Sequence, residues 1–338
     1  ALLRDSARAD THYQIARCLD VPGNRFAARA EYMKARDYDQ LRFRASSDFN
    51  DAIRKMDDGR VMIVVDMERV FQDNSPDSIS GRELITEHLH PNSAGYFLMG
   101  KAFAAAMHSR HLLAAEEQWR EADTVADAAL WRDRGVTTLD ERIAQRRTEI
   151  LTGGWPFTHR TVPVVGPVPA DDPIGQIAEN VTRGVWDWLT AHKKAAAYYA
   201  QRGDLDSVAR EESVIIDQTP LDVTAYLDLA HVYLEERRFG DMARVLAASQ
   251  AVRPTILAAR ALGDFALRTG KPLDAVGQYE SMSAFEQSTA ERVDNGYALA
   301  LAYLKADMPG KAKEQLRSIL KLRPGFAPAA DLLGRIRE

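Results

Sequence analysis

The 338-residue sequence contains a single cysteine, Cys18. One thiol cannot form an intramolecular disulfide, and it excludes a zinc site built from several cysteines. Cys18 lies in a helical pattern on an apolar face, so we expect a core thiol rather than a nucleophile. This cysteine content fits a reducing cytosol and equally a secreted protein that needs no disulfide.

The sequence also lacks long apolar runs and a large excess of either charge. No apolar run approaches the ~18 residues of a membrane-spanning helix, and the longest candidate is Val61–Val65. Lys and Arg number 44 and Asp and Glu 49, a formal net charge of −5. Such a chain has no overall attraction to nucleic acid or anionic lipid. We expect no nucleic-acid partner and no membrane span in this chain.

The first part of the sequence predicts helices around one buried strand. Residues 1–56 have helical periodicity, and a third helix is predicted over Ser47–Met56. Val61–Val65 is continuously apolar and mostly β-branched, which is typical of a strand buried on both faces in a parallel sheet. Asp66 follows this strand and is either a site residue or the cap of the next turn. A helix over Ser93–His108 is predicted after Pro91 and Asn92.

The second half of the sequence repeats with a helical period. Pro220 and Pro254 are 34 residues apart, and Arg253-Pro254 recurs as Arg323-Pro324. Small and large apolar residues recur at matching offsets: Leu229, Ala230, Tyr233, Met242 and Leu246; Leu262, Gly263, Ala266, Ala275 and Tyr279; Leu299, Ala300, Tyr303, Ala312 and Leu316. This half resembles tetratricopeptide repeats (TPR) over about residues 189–338, with a degenerate first repeat and a closing helix over Ala329–Arg337. Residues 12–40 match the pattern once more.

The TPR resemblance implies a groove lined by the first helix of each pair. The positions projected onto it are His231, Glu235, Arg260, Asp264, Arg268, Asp294, Tyr297 and Lys305. Such arrays bind an extended peptide or another protein. The alternative is that these residues are ordinary surface charges, and their mixed signs indicate no single ligand charge.

One motif carries the residue types of catalysis. An acidic residue precedes a histidine by three positions, and Pro, Asn, Gly and Tyr follow, in the stretch Glu87-His88-Leu89-His90-Pro91-Asn92 with Gly95 and Tyr96. On a tight loop, a carboxylate at this spacing can bind the imidazole and stabilise its protonated form. A zinc or nickel site made by His88 and His90 is a second interpretation.

This motif resembles the last conserved block of the SGNH/GDSL hydrolases, with Glu87 in place of the usual Asp. The stretches Leu41–Ala45 and Ile53-Arg54 also carry the match. The resemblance implies that His90 is the general base and Glu87 orients it. It also implies a nucleophilic Ser and an oxyanion-hole block nearer the N-terminus, and neither is found in this sequence. A Ser would have to come from an upstream portion of the same protein.

Together these patterns predict a mainly α protein. The C-terminal half is a TPR α-solenoid, and the N-terminal half holds a partial α/β, doubly wound SGNH-like segment. The expected division is a helical segment (1–56), the SGNH-like strand-loop-helix (57–110), a helical and Pro/Gly-rich connector (111–188) and the repeats (189–338).

Two functions follow from these patterns. The first is the C-terminal part of a bacterial ester hydrolase or acyltransferase, inactive as an isolated chain and needing no cofactor or metal. The second is a non-enzymatic interaction scaffold with a structural hydrolase remnant. The resemblance implies a membrane anchor upstream and an extracytoplasmic location, and the alternative is the cytoplasm.

Overall fold

The computed structural model describes residues 7–155, 157–285 and 287–336. The chain forms two compact units. The first comprises Ala1–Val136 and Ala144–Pro167, and the second Thr137–Ile143 and Val168–Glu338. The described residues form helices and no strand, apart from one isolated antiparallel bridge between Ile85 and Pro91. No helix in these ranges is long and apolar enough to cross a membrane.

The first unit begins with the helix pair expected from residues 12–40. Its helices are α1 (Ala9–Leu19), α2 (Arg25–Asp37), α3 (Ser47–Arg54), α4 (Met67–Asp73), α5 (Ser93–Ser109), α6 (Glu116–Ala122), α7 (Asp127–Arg132) and α8 (Thr138–Thr152), the last continuing from the second unit. Helices α1 and α2 pack together through fully buried alanines, Ala16 and Ala28. The predictions of α3 and α5 are confirmed.

The expected core position of Cys18 is wrong, because this side chain is exposed. Helix α1 buries the face that holds His12 and Ala16. Cys18 follows Ala16 by two residues, which places it roughly 200° around the helix from that face.

The predicted strand Val61–Val65, and with it the α/β segment, is wrong for the described structure. A strand needs a neighbouring strand to satisfy its backbone N–H and C=O groups. Here the Asp58 carboxylate accepts the N–H groups of Arg60–Met62, and Asp57 accepts that of Val64. The run is also not buried, since Val61 is 92% exposed.

Asp66 caps the helix that follows this extended segment. Its carboxylate accepts the backbone N–H of Arg69 at 3.1 Å and pairs with Arg54 at 2.7 Å. The capping interpretation of Asp66 is therefore confirmed.

The second unit is a series of consecutive helix pairs. Its helices are α9 (Pro173–Thr182), α10 (Trp188–Gln201), α11 (Leu205–Gln218), α12 (Val223–Glu235), α13 (Phe239–Val252), α14 (Ile256–Arg268), α15 (Pro272–Ser281), α16 (Thr289–Lys305), α17 (Pro309–Leu322) and α18 (Ala327–Arg335). Each helix from α10 to α18 packs on the next. Because the connections are short, neighbouring helices run antiparallel. The prediction of stacked helix pairs is confirmed.

Each helix pair turns through one residue in the left-handed conformation. These residues are Gly203, Arg237, Gly270 and Asp307, with φ of +70°, +59°, +75° and +57°. Glycine adopts this conformation without steric cost, whereas a residue with a Cβ does not. The turn has the same conformation in all four pairs. Arg237 and Asp307 adopt it at a steric cost that Gly203 and Gly270 avoid.

The residues of the repeat pattern lie inside these pairs. Small side chains sit where the helices cross and large ones fill the space between them. The fully or almost fully buried members are Leu229, Ala230, Met242, Leu246, Gly263, Ala266, Ala275, Tyr279, Ala300, Tyr303, Ala312 and Leu316. One pair cannot cover its own apolar face, so the stacking of neighbours completes the core.

Candidate functional site

Glu87 is the centre of a tight loop between Ile85 and Pro91. The backbone N–H of Thr86 donates to the carbonyl of His90 at 2.8 Å, which closes the loop. The Glu87 side chain is 3% exposed and turns inward. Its carboxylate accepts the backbone N–H groups of His88, Leu89 and His90. The loop is therefore built around one buried carboxylate.

The imidazole of His90 binds this carboxylate. Its Nδ1 forms a hydrogen bond with Glu87 Oε1, and the ring is otherwise 64% exposed. Burial alone would raise the pKa of Glu87, but the hydrogen bonds from the His90 ring and the three backbone N–H groups outweigh it and lower the pKa to about 2. Glu87 is thus a stable anion that orients the exposed imidazole.

The end of the loop starts helix α5. The Asn92 side chain accepts the backbone N–H of Gly95 at 3.0 Å, as expected for an N-cap. A Cβ at Gly95 would lie 2.3 Å from the carbonyl oxygen of Leu84. Only glycine allows the helix to approach the loop this closely.

His88 has a different environment from His90. Its Nδ1 lies beside the second oxygen of Glu87, and its ring makes edge-to-face contacts with Phe43 and Phe157 at centroid distances of 5.2 and 5.0 Å. Within the described ranges no group of three or more His, Cys, Asp or Glu side chains is placed to hold a metal ion. His88 is therefore packed between aromatic rings, whereas the ring of His90 is exposed to solvent.

The predicted groove residues fall into two groups. Several already have partners within the protein: His231 pairs with Glu235 at 3.1 Å, Arg260 donates to Asn295, and Asp264 accepts the hydroxyl hydrogen of Tyr279. Tyr297 packs edge-to-face on Phe326 at 5.6 Å. Arg268, Asp294 and Lys305 are exposed and form no ion pair within the described residues.

The first helices of the last two repeats, α14 and α16, touch one another. Helix α14 packs on α16, and the hydrogen bond from Arg260 to Asn295 joins them. The exposed side chains of Arg268, Asp294 and Lys305 therefore belong to two adjacent helices of one surface.

A buried charge cluster in the second unit was not predicted from the sequence. His192 is fully buried, its Nδ1 lies 2.5 Å from Glu211 Oε2, and its Nε2 lies 3.3 Å from Asp140 Oδ1. Asp140 also accepts hydrogen bonds from Thr137 and Trp188. The cluster holds the segment Thr137–Ile143 against helices α10 and α11.

The pKa of His192 reflects these partners. Burial alone would lower it, but hydrogen bonds and charge attraction to Asp140 and Glu211 raise it to about 9. The imidazole is therefore protonated at neutral pH. It lies between Asp140, whose pKa is lowered in spite of burial by its hydrogen bond to His192, and Glu211, whose pKa is raised by burial.

The same contact occurs in the first unit. His12 Nδ1 lies 2.5 Å from Glu31 Oε2, and both this pair and His192–Glu211 are 19 residues apart. In each case the histidine lies four residues before a buried alanine of the first helix, Ala16 or Ala196. Both contacts could have been found in the sequence, because each joins a His to a Glu 19 residues further along.

Comparisons with known proteins give a likeness of fold only. No protein-family model matches the chain, and no curated protein matches it. Two crystal structures of MamA are similar, at 20% and 21% identity, over 43% and 41% of this chain and 79% and 80% of theirs, with TM-scores of 0.38 and 0.36. YrrB, a TPR protein with an unusual peptide-binding site, is similar at 12% identity over 46% of this chain and 96% of its own, with a TM-score of 0.30.

The second unit is an array of stacked antiparallel helix pairs, which is the arrangement of a TPR-like solenoid. The helix order, the crossing positions and the buried pattern residues of this chain carry that assignment.

Proposed function

We propose that this chain is a protein-interaction scaffold whose repeats bind an extended segment of a partner protein. The observation that carries the proposal is the set of exposed charges on the adjacent first helices α14 and α16. Arg268, Asp294 and Lys305 face solvent without an ion pair in the described structure, on a surface made rigid by the packed pairs beneath it. Repeat arrays use such surfaces to bind extended chains.

The charges of this surface favour a partner segment of mixed charge. Arg268 and Lys305 attract acidic side chains, and Asp294 attracts a basic one. Charge pairs at an exposed surface contribute mainly to specificity and association rate. The affinity would then depend on contacts along several repeats rather than on one residue.

The test uses a phage-displayed library of random peptides selected on the purified chain. We expect enriched peptides whose affinity falls at least tenfold in the double variant Arg268→Glu/Lys305→Glu. The matched control is Arg244→Glu/Lys313→Glu, which reverses two charges on second helices, and it should leave affinity unchanged. Equal loss in both variants would show a nonspecific charge effect and contradict the proposal.

A second candidate function is supported by the Glu87–His90 contact. We propose that His90 is the general base, and Glu87 the carboxylate that orients it, in an SGNH-like ester hydrolase or acyltransferase site whose Ser belongs to an upstream portion of the protein. The buried, anionic Glu87 and the exposed imidazole of His90 have the arrangement that this chemistry requires. Joining an upstream Ser-containing segment to this chain should produce esterase activity that His90→Ala abolishes.

A further inference from the structure

A cavity of about 770 Å³ lies among the last helices of the second unit. Its walls are formed by helices α15, α16 and α17 and by the described residues of the segment between α15 and α16. The described residues that line it are Tyr279, Met282, Ser283, Phe285, Gln287, Ser288, Arg292, Asn295, Gly296, Leu299, Gln315, Ser318, Ile319 and Leu322. This volume is within the range of ligand sites, about 300–1,000 Å³.

The cavity coincides with the one irregular step of the repeat. Leu229 and Leu262 are 33 residues apart, whereas Leu262 and the equivalent Leu299 are 37 apart. Helix α16 has 17 residues against 13 in α12 and in α14, so the extra length forms an additional first turn of α16. Helix α15 has 10 residues against 14 in α13, and the 3₁₀ turn Met282–Ala284 follows it directly. Insertions in repeat proteins are frequently found at binding surfaces.

The floor of the cavity is formed by apolar residues, of which Phe285, Leu299 and Leu322 are partly exposed. Tyr279, Met282 and Ile319 are almost fully buried. A Cβ at Gly296 would lie 2.6 Å from Gln315 Nε2 and 3.2 Å from Ile319 Cγ1. The absence of a side chain at Gly296 lets Gln315 lie across α16 at the wall of the cavity.

Polar groups are concentrated at the sides and the rim. Asn295 donates to Gln287 at 2.9 Å, and Gln287 donates to the carbonyl of Met282, which fixes both amides. The Gln315 amide has no hydrogen-bond partner in the described structure. Primary amides offer both donors and acceptors, so they match the peptide main chain.

Arg292 is the one charged residue among the described residues that line the cavity. Its side chain is exposed and forms no ion pair within that part of the chain. An unpaired guanidinium beside an apolar floor favours a ligand with a carboxylate next to an apolar group, because charge-assisted hydrogen bonds to carboxylates are the strongest that Arg forms.

We propose that this cavity is a second binding site, which takes a peptide segment carrying a large apolar side chain next to a carboxylate. The apolar side chain would lie against the partly exposed Phe285, Leu299 and Leu322. The Gln315 amide would bind the peptide main chain, and Arg292 would bind the carboxylate. None of the eight predicted groove residues lines this cavity, although Arg260 and Asp264 bond to its lining residues Asn295 and Tyr279. Variants at Arg268 and Lys305 therefore test the groove separately from the cavity.

The experiment selects the same phage-displayed random peptide library on the purified chain. It then measures the affinity of the enriched peptides for four single variants and for the double variant Arg268→Glu/Lys305→Glu. Ser318→Trp fills the cavity from its exposed rim, and Leu322→Trp fills it one turn further along α17. The matched control is Ala248→Trp, an exposed position of α13 two residues after Leu246, as Ser318 is two after Leu316. Arg292→Gln removes the charge alone. Circular dichroism shows which variants are folded. One folded variant of Ser318→Trp and Leu322→Trp is enough to test whether filling the cavity blocks binding.

We expect a set of peptides with a large apolar residue next to Asp, Glu or the C-terminus. Their affinity should fall at least tenfold in the cavity-filling variants and roughly tenfold in Arg292→Gln. It should not change in Ala248→Trp or in Arg268→Glu/Lys305→Glu.

Two results would overturn the second site. Peptides that bind the cavity-filling variants normally, but lose affinity for Arg268→Glu/Lys305→Glu, would show that the groove is a binding site and the cavity is not. Peptides that depend on the cavity without responding to Arg292→Gln would show that the carboxylate assignment is wrong. A selection that yields no binding peptide contradicts both the groove and the cavity.

Discussion

Gly263 on helix α14 lies directly against the ring of Tyr279 on helix α15. A Cβ at this glycine would come within 2.6 Å of Tyr279 Cε1 and 2.8 Å of Cζ. Tyr279 is 2% exposed, and its hydroxyl donates to Asp264 on the same helix as the glycine. The ring is therefore fixed from both ends and cannot move aside for a larger residue.

We expect Gly263→Leu to separate α14 from α15. Overpacking of this kind costs about 1–3 kcal/mol. Because repeats depend on their neighbours, hydrogen exchange should increase across residues 223–324 and not only at the substitution. The matched control is Gly277→Leu on α15, where nothing lies within 4 Å of the added Cβ. Equal protection in the two variants would refute the assigned register.

Arg237→Gly should stabilise the turn between α12 and α13. Arg237 has φ of +59° where the equivalent Gly203 and Gly270 occupy two other pairs. Glycine removes a steric cost of roughly 1 kcal/mol at such a position. Urea unfolding should show the gain, and Gly270→Ala should show a loss of similar size. A destabilised Arg237→Gly variant would contradict this explanation.

The buried charge cluster should make the stability of the second unit depend on pH. An unfolded histidine titrates near pH 6.5, whereas the pKa of His192 in the folded protein is about 9. The stabilising contribution is therefore complete below about pH 6.5 and is lost as the pH rises to about 9.

His192→Gln tests this dependence. It leaves Glu211 fully buried and Asp140 half-buried without their shared cation, and removing one partner of a buried ion pair costs about 3–5 kcal/mol. The difference in unfolding free energy from the wild type should be large at pH 6 and smaller at pH 9. A difference that grows toward pH 9 would contradict the assignment of charge.

Glu212 is expected to oppose folding at neutral pH and above. Its side chain is 5% exposed, and Oε2 has no hydrogen-bond partner in the described structure. Burial, with the nearby charge of Asp228, raises its pKa to about 7. Since an unfolded Glu titrates near 4.3, the cost of ionisation appears as the pH rises from about 4.3 and is complete above about 7.

Glu212→Gln should therefore stabilise the protein at pH 8 by an amount on the order of 1–3 kcal/mol, and have little effect at pH 4.5. Glu314→Gln, at an exposed position of α17, is the control and should change neither value. Thermal or urea unfolding at the two pH values measures the effect. A variant that is less stable than wild type at pH 8 would show that the carboxylate has a partner.

The isolated chain should not hydrolyse p-nitrophenyl acetate above the buffer rate. His90, oriented by Glu87, can accept a proton from a nucleophile. The sequence shows no Ser in the position of that nucleophile, so no acyl group can be transferred. Rapid hydrolysis that His90→Ala abolishes would reveal a nucleophile in this chain.

The Glu87 loop could be predicted from the sequence because its contacts are local. The carboxylate and the imidazole are three residues apart, and the N–H groups that hold Glu87 follow it directly. The conformation of Val61–Val65, which was predicted as a strand, could not be predicted by the same reasoning. An apolar, β-branched run becomes a strand only when another strand pairs with it, and pairing is a property of the whole fold.

The sequence by itself determined the helix pairs of the second half. Its small residues, such as Gly263 and Ala275, and its large ones, such as Leu246 and Leu316, recur at the helical period, and local periodicity is enough to specify which faces meet. Only the tertiary structure decided which charged side chains are buried and where a cavity forms between the helices of the repeats. The partnership of His192 with Asp140, and the cavity beside Gly296, both depend on segments brought together by packing, so no local pattern encodes them.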